Sequence, residues 1–204
     1  MTQGTEEWKL ERCGKVTASR IADLTAKTKT GWGASRANYM AQLVAERLTG
    51  VPADSFVSAA MQHGTETEPQ ARAAYSFLTD NLVEEVGFIH HPTILMAGAS
   101  PDGFVGENGL IEIKCPNTAT HIDTLLGAEI DGKYVKQMQW QMACTGRDWC
   151  DFVSFDPRLP VDLQIKVQRV ERDQELIDSL EKDVTDFLAE VEDKVTRLKQ
   201  LTAA

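Results

Sequence analysis

The chain has no C-x-x-C pair. Its four cysteines, Cys13, Cys115, Cys144 and Cys150, are scattered. Zinc sites built on that spacing are excluded, and reduced thiols in a cytosolic protein are the expectation. His63, His90, His91 and His121 fall on no recognisable motif. No apolar run approaches the roughly 18 residues that a membrane span needs. The opening MTQGTEEWKLER lacks an apolar signal region, so export is not expected. Internal repeats and low-complexity linkers are also missing. What is there is an ordinary globular composition, 42% hydrophobic and 25% charged over 204 residues. That suffices for a real core and predicts one compact domain over residues 1–204.

The net charge of −10 argues at first against a nucleic-acid partner. Its distribution softens this. Residues 1–50 carry eight Lys/Arg against five Asp/Glu, net +3. Residues 51–170 carry eight against sixteen, net −8, and residues 171–204 five against ten, net −5. Acids gathered around a bound cation can still serve a phosphate, because the ion inverts the local charge.

Helix and strand periods alternate along the chain. Thr17 or Ser19 can cap a short helix through Thr25. KTKTGWG, residues 27–33, is a basic loop that either sits against a phosphate backbone or is simply solvated. Ser35 is read as the cap of a helix with the stripe Tyr39, Leu43, Val44 and Leu48, stopped by Gly50. A second helix holds Gly64 to Arg72, with Glu68 near its start, where the helix dipole favours a carboxylate. Glu68 and Arg72, four apart, equally suit a surface pair. Strands are expected at 82–90, 93–96, 102–105, 110–115, 149–155 and 163–170, and helices at 117–128 and 133–145. A last helix, 172–201, either closes the core or meets another subunit. The fold class is α/β, a mixed sheet flanked by helices.

GASPDGFVGENGLIEIKCP, residues 98–116, is the densest stretch chemically. Asn108-Gly109 is a good hairpin turn, so the strand of Asp102 can return beside that of Glu112. Alternation puts Glu112 and Lys114 on one face and Ile111, Ile113 and Cys115 on the other. Two carboxylates and an ammonium then converge, with hard oxygen ligands suited to magnesium or manganese. The same residues also describe a solvated hairpin face.

Ser100-Pro-Asp102-Gly followed by Ile111-Glu112-Ile113-Lys114 resembles the PD-(D/E)XK signature of restriction-endonuclease-like nucleases. More narrowly, it resembles the phage lambda exonuclease, or YqaJ-type, viral recombinases. Four further stretches resemble that family in the same order: Arg12-x-Gly14-x-x-Thr17-Ala18-Ser19, Gly64-x-x-x-Glu68-x-x-Ala71-Arg72, Gln137-x-Gln139, and Phe155-Asp156-Pro157-Arg158.

The resemblance implies a restriction-endonuclease-like core ending in the long helix. It implies Asp102, Glu112, the carbonyl of Ile113 and Glu68 as metal ligands. Lys114 would serve the attacking water or the charged phosphate, and Gln137 would help hold the site. Arg12, Ser19 and Ser100 would receive a terminal 5′-phosphate, an arginine being suited to two oxygens at once. Met61 falls where the family places a wedge between strands, or else is a helix-start residue packed on the core. The implied activity is a Mg2+-dependent 5′→3′ exonuclease on double-stranded DNA ends, with Mn2+ substituting for Mg2+. It would leave a 3′ strand for an annealing or recombinase protein. The implied setting is a ring-shaped homotrimer, a phage or prophage protein in a bacterial cytoplasm. A structure-selective endonuclease or nickase of the same fold is the alternative, and a non-catalytic DNA-binding module is a further one.

Overall fold

The computed structural model describes residues 2–29, 31–53 and 58–202, without the side chains of residues 60, 61 and 202. The chain opens with α1 (Glu6–Arg12), β1 (Val16–Thr17), a 3-10 turn (Ala18–Arg20) and α2 (Ile21–Leu24). The hairpin β2 (Lys27–Thr28) and β3 (Gly31–Trp32) leads to α3 (Ala34–Thr49) and α4 (Ala59–Thr79). Short strands follow: β4 (Val83–Glu84), β5 (Ile89–His90), β6 (Ala97–Ala99) and β7 (Gly103–Val105). Then come β8 (Gly109–Lys114), α5 (Thr118–Leu125), α6 (Gly132–Thr145), β9 (Trp149–Phe155), β10 (Ile165–Glu171) and α7 (Gln174–Thr202).

The expected mixed sheet is present, in the order β10-β9-β8-β7-β4. β8 pairs with β9 in parallel and with β7 in antiparallel fashion. A smaller sheet runs β1-β6-β5. On the main sheet, Ile111 and Ile113 pack with Val153, Phe155 and Tyr75 towards α4. Leu110 packs on the other side with Met138, Met142, Phe152 and Ile177, under α6 and α7. Strand alternation therefore sends Glu112, two residues after Leu110, towards α6.

The stripe of α7, Ile177, Leu180, Val184, Phe187, Val191 and Val195, is buried, and most of it joins Tyr39 and Leu43 in a core with α3. The core-closing reading of this helix is the one realised along its buried length.

Several local expectations differ. The strand read over 82–90 is two short strands, β4 and β5, in different sheets. Neither Thr17 nor Ser19 caps α2, whose N-cap is Arg20. Thr93–Met96 is not a strand: His91 Nδ1 accepts from the N–H groups of Thr93 and Ile94 at 3.3 and 3.1 Å, curling the segment, and β6 begins at Ala97. Gly33, not Ser35, caps α3, which starts at Ala34. The hairpin turn lies over 106–108, not at Asn108-Gly109. Gly106 takes the left-handed conformation at φ 55°, while Gly109 is already in β8, beneath the ring of Trp149. Glu68 lies in the third turn of α4, which begins at Ala59 and runs through Pro69, so a helix-start dipole does not act on it.

Candidate active site

Glu112 is a buried carboxylate, only 1% exposed, in the centre of the sheet. An ion taken out of water there needs dedicated partners. Three side chains supply them. Lys114 Nζ lies 2.5 Å from Glu112 Oε1, and Gln137 Nε2 donates to the same oxygen at 2.7 Å. Gln141 Nε2 donates to Oε2 at 2.6 Å. The Lys114 ammonium also lies 5.0 Å from the ring centroid of Tyr134. Burial by itself would lower the Lys114 pKa, but Glu112 and Asp102 outweigh it and push the pKa up.

Asp102 stands just before β7. The register Gly103↔Ile111, continued by one position, sets it opposite Glu112. A ten-residue separation is thus what this hairpin and its three-residue turn require. Asp102 Oδ2 accepts from the Ile113 N–H at 2.6 Å. Burial, then the nearby Glu112 charge, hold the Asp102 carboxyl well above the usual range, with Lys114 and the Ile113 N–H pulling the other way. Glu68 is also raised, first by burial; Arg72 opposes this and Glu112 adds to it. Arg72 is bonded to Glu68 Oε1 at 3.0 Å and to the Asp102 carbonyl at 3.0 Å. The Glu68–Arg72 pair therefore forms, but it tethers α4 to the Asp102 loop instead of lying idle on the surface.

Arg12, Ser19 and Glu68 line one cavity of about 700 Å³ between the N-terminal segment, α3 and α4. Arg12 lies over Trp8, its guanidinium carbon 3.8 Å from the ring centroid. Its Nε is buried and, among the described residues, has no hydrogen-bond partner. Burial lowers the Arg12 pKa, with Tyr39 and Glu46 opposing. The indole N–H of Trp8 donates to Ser100 Oγ at 3.0 Å. Arg12 and Ser100 are thereby linked through one ring, and Ser100 precedes Asp102 by two residues. Gln3 also ties the N-terminus to this loop, donating to the carbonyls of Pro101 and Val86 at 2.7 and 2.9 Å.

A family model described as the YqaJ-like viral recombinase domain matches residues 7–148. The chain belongs to that family. It is similar over 98% of both chains to an alkaline exonuclease, LHK-Exo, from Laribacter hongkongensis, with 56% identity and a TM-score of 0.91. The structure of LHK-Exo in complex with dAMP matches with 57% identity, the same coverage and the same TM-score. A phage related exonuclease from Haemophilus somnus 129PT shares the fold at 18% identity, over 90% of this chain and 96% of that one, with a TM-score of 0.73. No curated protein matches.

Within this YqaJ-like domain the expected residues fall into two groups. Asp102, Glu112, Lys114, Gln137 and the Ile113 backbone meet in direct contact, with Glu68 close enough to feel their charge. Arg12 and Ser19 form the second group, at the cavity, and Ser100 joins them through its hydrogen bond from Trp8, which also lines it. Met61 lies in α4, but its side chain is outside the described residues, so the wedge expectation finds no contact to rest on. Sequence reasoning missed Trp8 and Gln141. Gln141 carries a signal, the four-residue step from Gln137 that puts both on one helix face; for Trp8 only its place four residues before Arg12 hints at contact.

The oxygen donors suit a hard divalent cation. Asp102 and Glu68, both raised in proton affinity by burial and by the Glu112 charge, would be relieved by a positive ion. Among the described residues no three His, Cys, Asp or Glu side chains form a ready-made ligand set. Lys114 engages Glu112 and Arg72 engages Glu68 instead. A cation held by Asp102, Glu112 and the Ile113 carbonyl fits this arrangement, with Glu68 joining only by shifting from Arg72.

Proposed function

We propose that this DNA exonuclease is a divalent-metal enzyme that shortens duplex ends 5′→3′ from a terminal 5′-phosphate. Magnesium is the metal and manganese a substitute. Asp102, Glu112 and the Ile113 carbonyl hold the metal, with Glu68 as a further carboxylate. Once bound, the metal supplies Lewis acidity for the attacking water and for charge on the scissile phosphate. Lys114, kept protonated by Glu112, orients the water or stabilises the phosphate. Gln137 steadies Glu112. Arg12, Ser19 and Ser100 receive the terminal phosphate. The basic hairpin β2–β3, with Trp32 between Lys27 and Arg36, lies against the DNA backbone.

One observation carries the exonuclease reading over an endonuclease or nickase. The buried Arg12 Nε, unpartnered among the described residues, and Glu68 line a single cavity, and Trp8 links Arg12 to the loop that holds Asp102. A phosphate reader and a cutting centre so close favour a strand end as substrate. The 3′ strand left behind would pass to an annealing or recombinase protein, and a single domain over residues 1–204 would assemble as a homotrimeric ring in the cytoplasm of a phage-bearing host. Linear and closed circular duplexes in magnesium test the central claim. Loss of mononucleotides from the linear form alone is expected; equal cutting of the circle sinks it.

A further inference from the structure

We infer that Gln141 is a positioning residue for Glu112, fixing the carboxylate plane that the metal meets; the inference rests on the metal reading proposed above. Gln141 is fully buried on α6, one turn beyond Gln137. Its helix neighbours Met138 and Met142 are packed among Leu110, Cys150, Phe152 and Ile177. Packing alone would favour another apolar side chain there, because burying an amide is costly unless it is bonded.

The bond it makes is specific. A carboxylate only accepts, so the nitrogen end of the Gln141 amide must face Glu112, and it does so at 2.6 Å from Oε2. The oxygen end then faces the Cys150 thiol, 4.0 Å away. A relay across three elements results: Cys150 on β9, Gln141 on α6, Glu112 on β8. Lys114 and Gln137 both address Oε1, so Gln141 holds the opposite oxygen. With both oxygens pinned, the carboxylate cannot turn about its last bond. Gln137 is half-buried and open to exchange with water, whereas Gln141 is closed off from it. A group that orients a metal-binding carboxylate in this way typically contributes about 10–100-fold to metal affinity or rate.

The test uses the full chain with Gln141→Met, which keeps length and volume but removes the donor. Manganese binding is measured by titration calorimetry and DNA digestion by steady-state kinetics. The expected result is manganese affinity weakened about 10-fold or more and kcat reduced on the order of 10-fold. KM for duplex should stay within about twofold, and excess manganese should restore part of the rate. A purely structural role would lower thermal stability in EDTA and leave manganese affinity of the folded protein unchanged. A folded Gln141→Met chain that binds manganese like wild type overturns the inference. If that variant fails to fold, Gln141→Asn, which keeps an amide but shortens its reach, supports the same comparison. Failure of both to fold assigns Gln141 to the core alone and also overturns it. A wild-type chain that takes up no manganese overturns the metal reading itself, a result distinct from equal binding by wild type and variant.

Discussion

Lys114 and Glu112 share one face of β8, and the ammonium nitrogen sits 2.5 Å from a carboxylate oxygen. That contact decides what the lysine can do. Its proton affinity is raised, so at neutral pH it donates and does not accept. Lys114→Met is therefore expected to cut hydrolysis by about 10²–10⁴-fold, the usual weight of a positioned proton donor. Lys114 is not assigned as a ligand, so manganese binding by calorimetry should survive. Digestion near the wild-type rate would dismiss its assigned role.

Under the proposed function, Arg12 governs the choice of end. Its guanidinium sits over Trp8, and Nε has no acceptor among the described residues, an arrangement suited to a bidentate oxyanion. Arg12→Gln should remove the preference for 5′-phosphorylated over 5′-hydroxyl duplexes, lowering the ratio of initial rates about tenfold or more. Trp8→Leu should act in the same direction, because Arg12 and Ser100 both lean on the indole. An unchanged ratio in Arg12→Gln would place the phosphate elsewhere.

Much of this site was legible in the chain because its determinants are local. The step from Glu112 to Lys114 follows from strand alternation, and the Asp102–Glu112 separation matches the β7–β8 hairpin. What escaped depends on tertiary contact. Gly109 reads as a turn residue, yet the ring of Trp149, from a strand forty residues on, covers its Cα and draws it into β8; a Cβ there would meet that ring at 2.1 Å. His91 turns a predicted strand into a curl through hydrogen bonds from Thr93 and Ile94, which no periodicity displays. Glu68 reads as lying near a helix start, but α4 begins at Ala59 and carries Pro69 internally.

Acid stability should depend visibly on Asp156. Burial would raise its pKa, but hydrogen bonds from the Arg158 side chain and from Thr118 prevail and bring it to about 2. The folded value lies below the unfolded value of about 3.9. The group therefore stabilises the fold above the unfolded pKa, and this contribution is lost as pH falls from about 4 to about 2. Asp156→Asn should cost about 2 kcal/mol at neutral pH, since hydrogen bonds to a charged group are given up. The difference from wild type, read from urea midpoints, should shrink towards pH 2. A difference constant down to pH 2 would deny the carboxylate its role.

Tyr39 joins the core to the cavity lined by Arg12 and Ser19. Its ring stacks on Phe187 of α7 at 5.6 Å, and its hydroxyl accepts from the Thr17 N–H at 3.1 Å, two residues before Ser19. The two halves of this side chain can be separated by mutation. Phe187→Ala opens a cavity at a fully buried position and should cost about 3–5 kcal/mol, measured as a shift in denaturant midpoint. At temperatures where that variant is still folded, the preference for phosphorylated ends should persist. Tyr39→Phe keeps the stack but leaves a buried N–H unpaired, at a cost of about 1–3 kcal/mol. Because that N–H belongs to Thr17, which leads directly into the turn carrying Ser19, Tyr39→Phe should also weaken the preference for a 5′-phosphate. If Tyr39→Phe lowers stability and leaves that preference intact, the turn is held by β1 and β6 alone, and α3 does not contribute to setting the pocket.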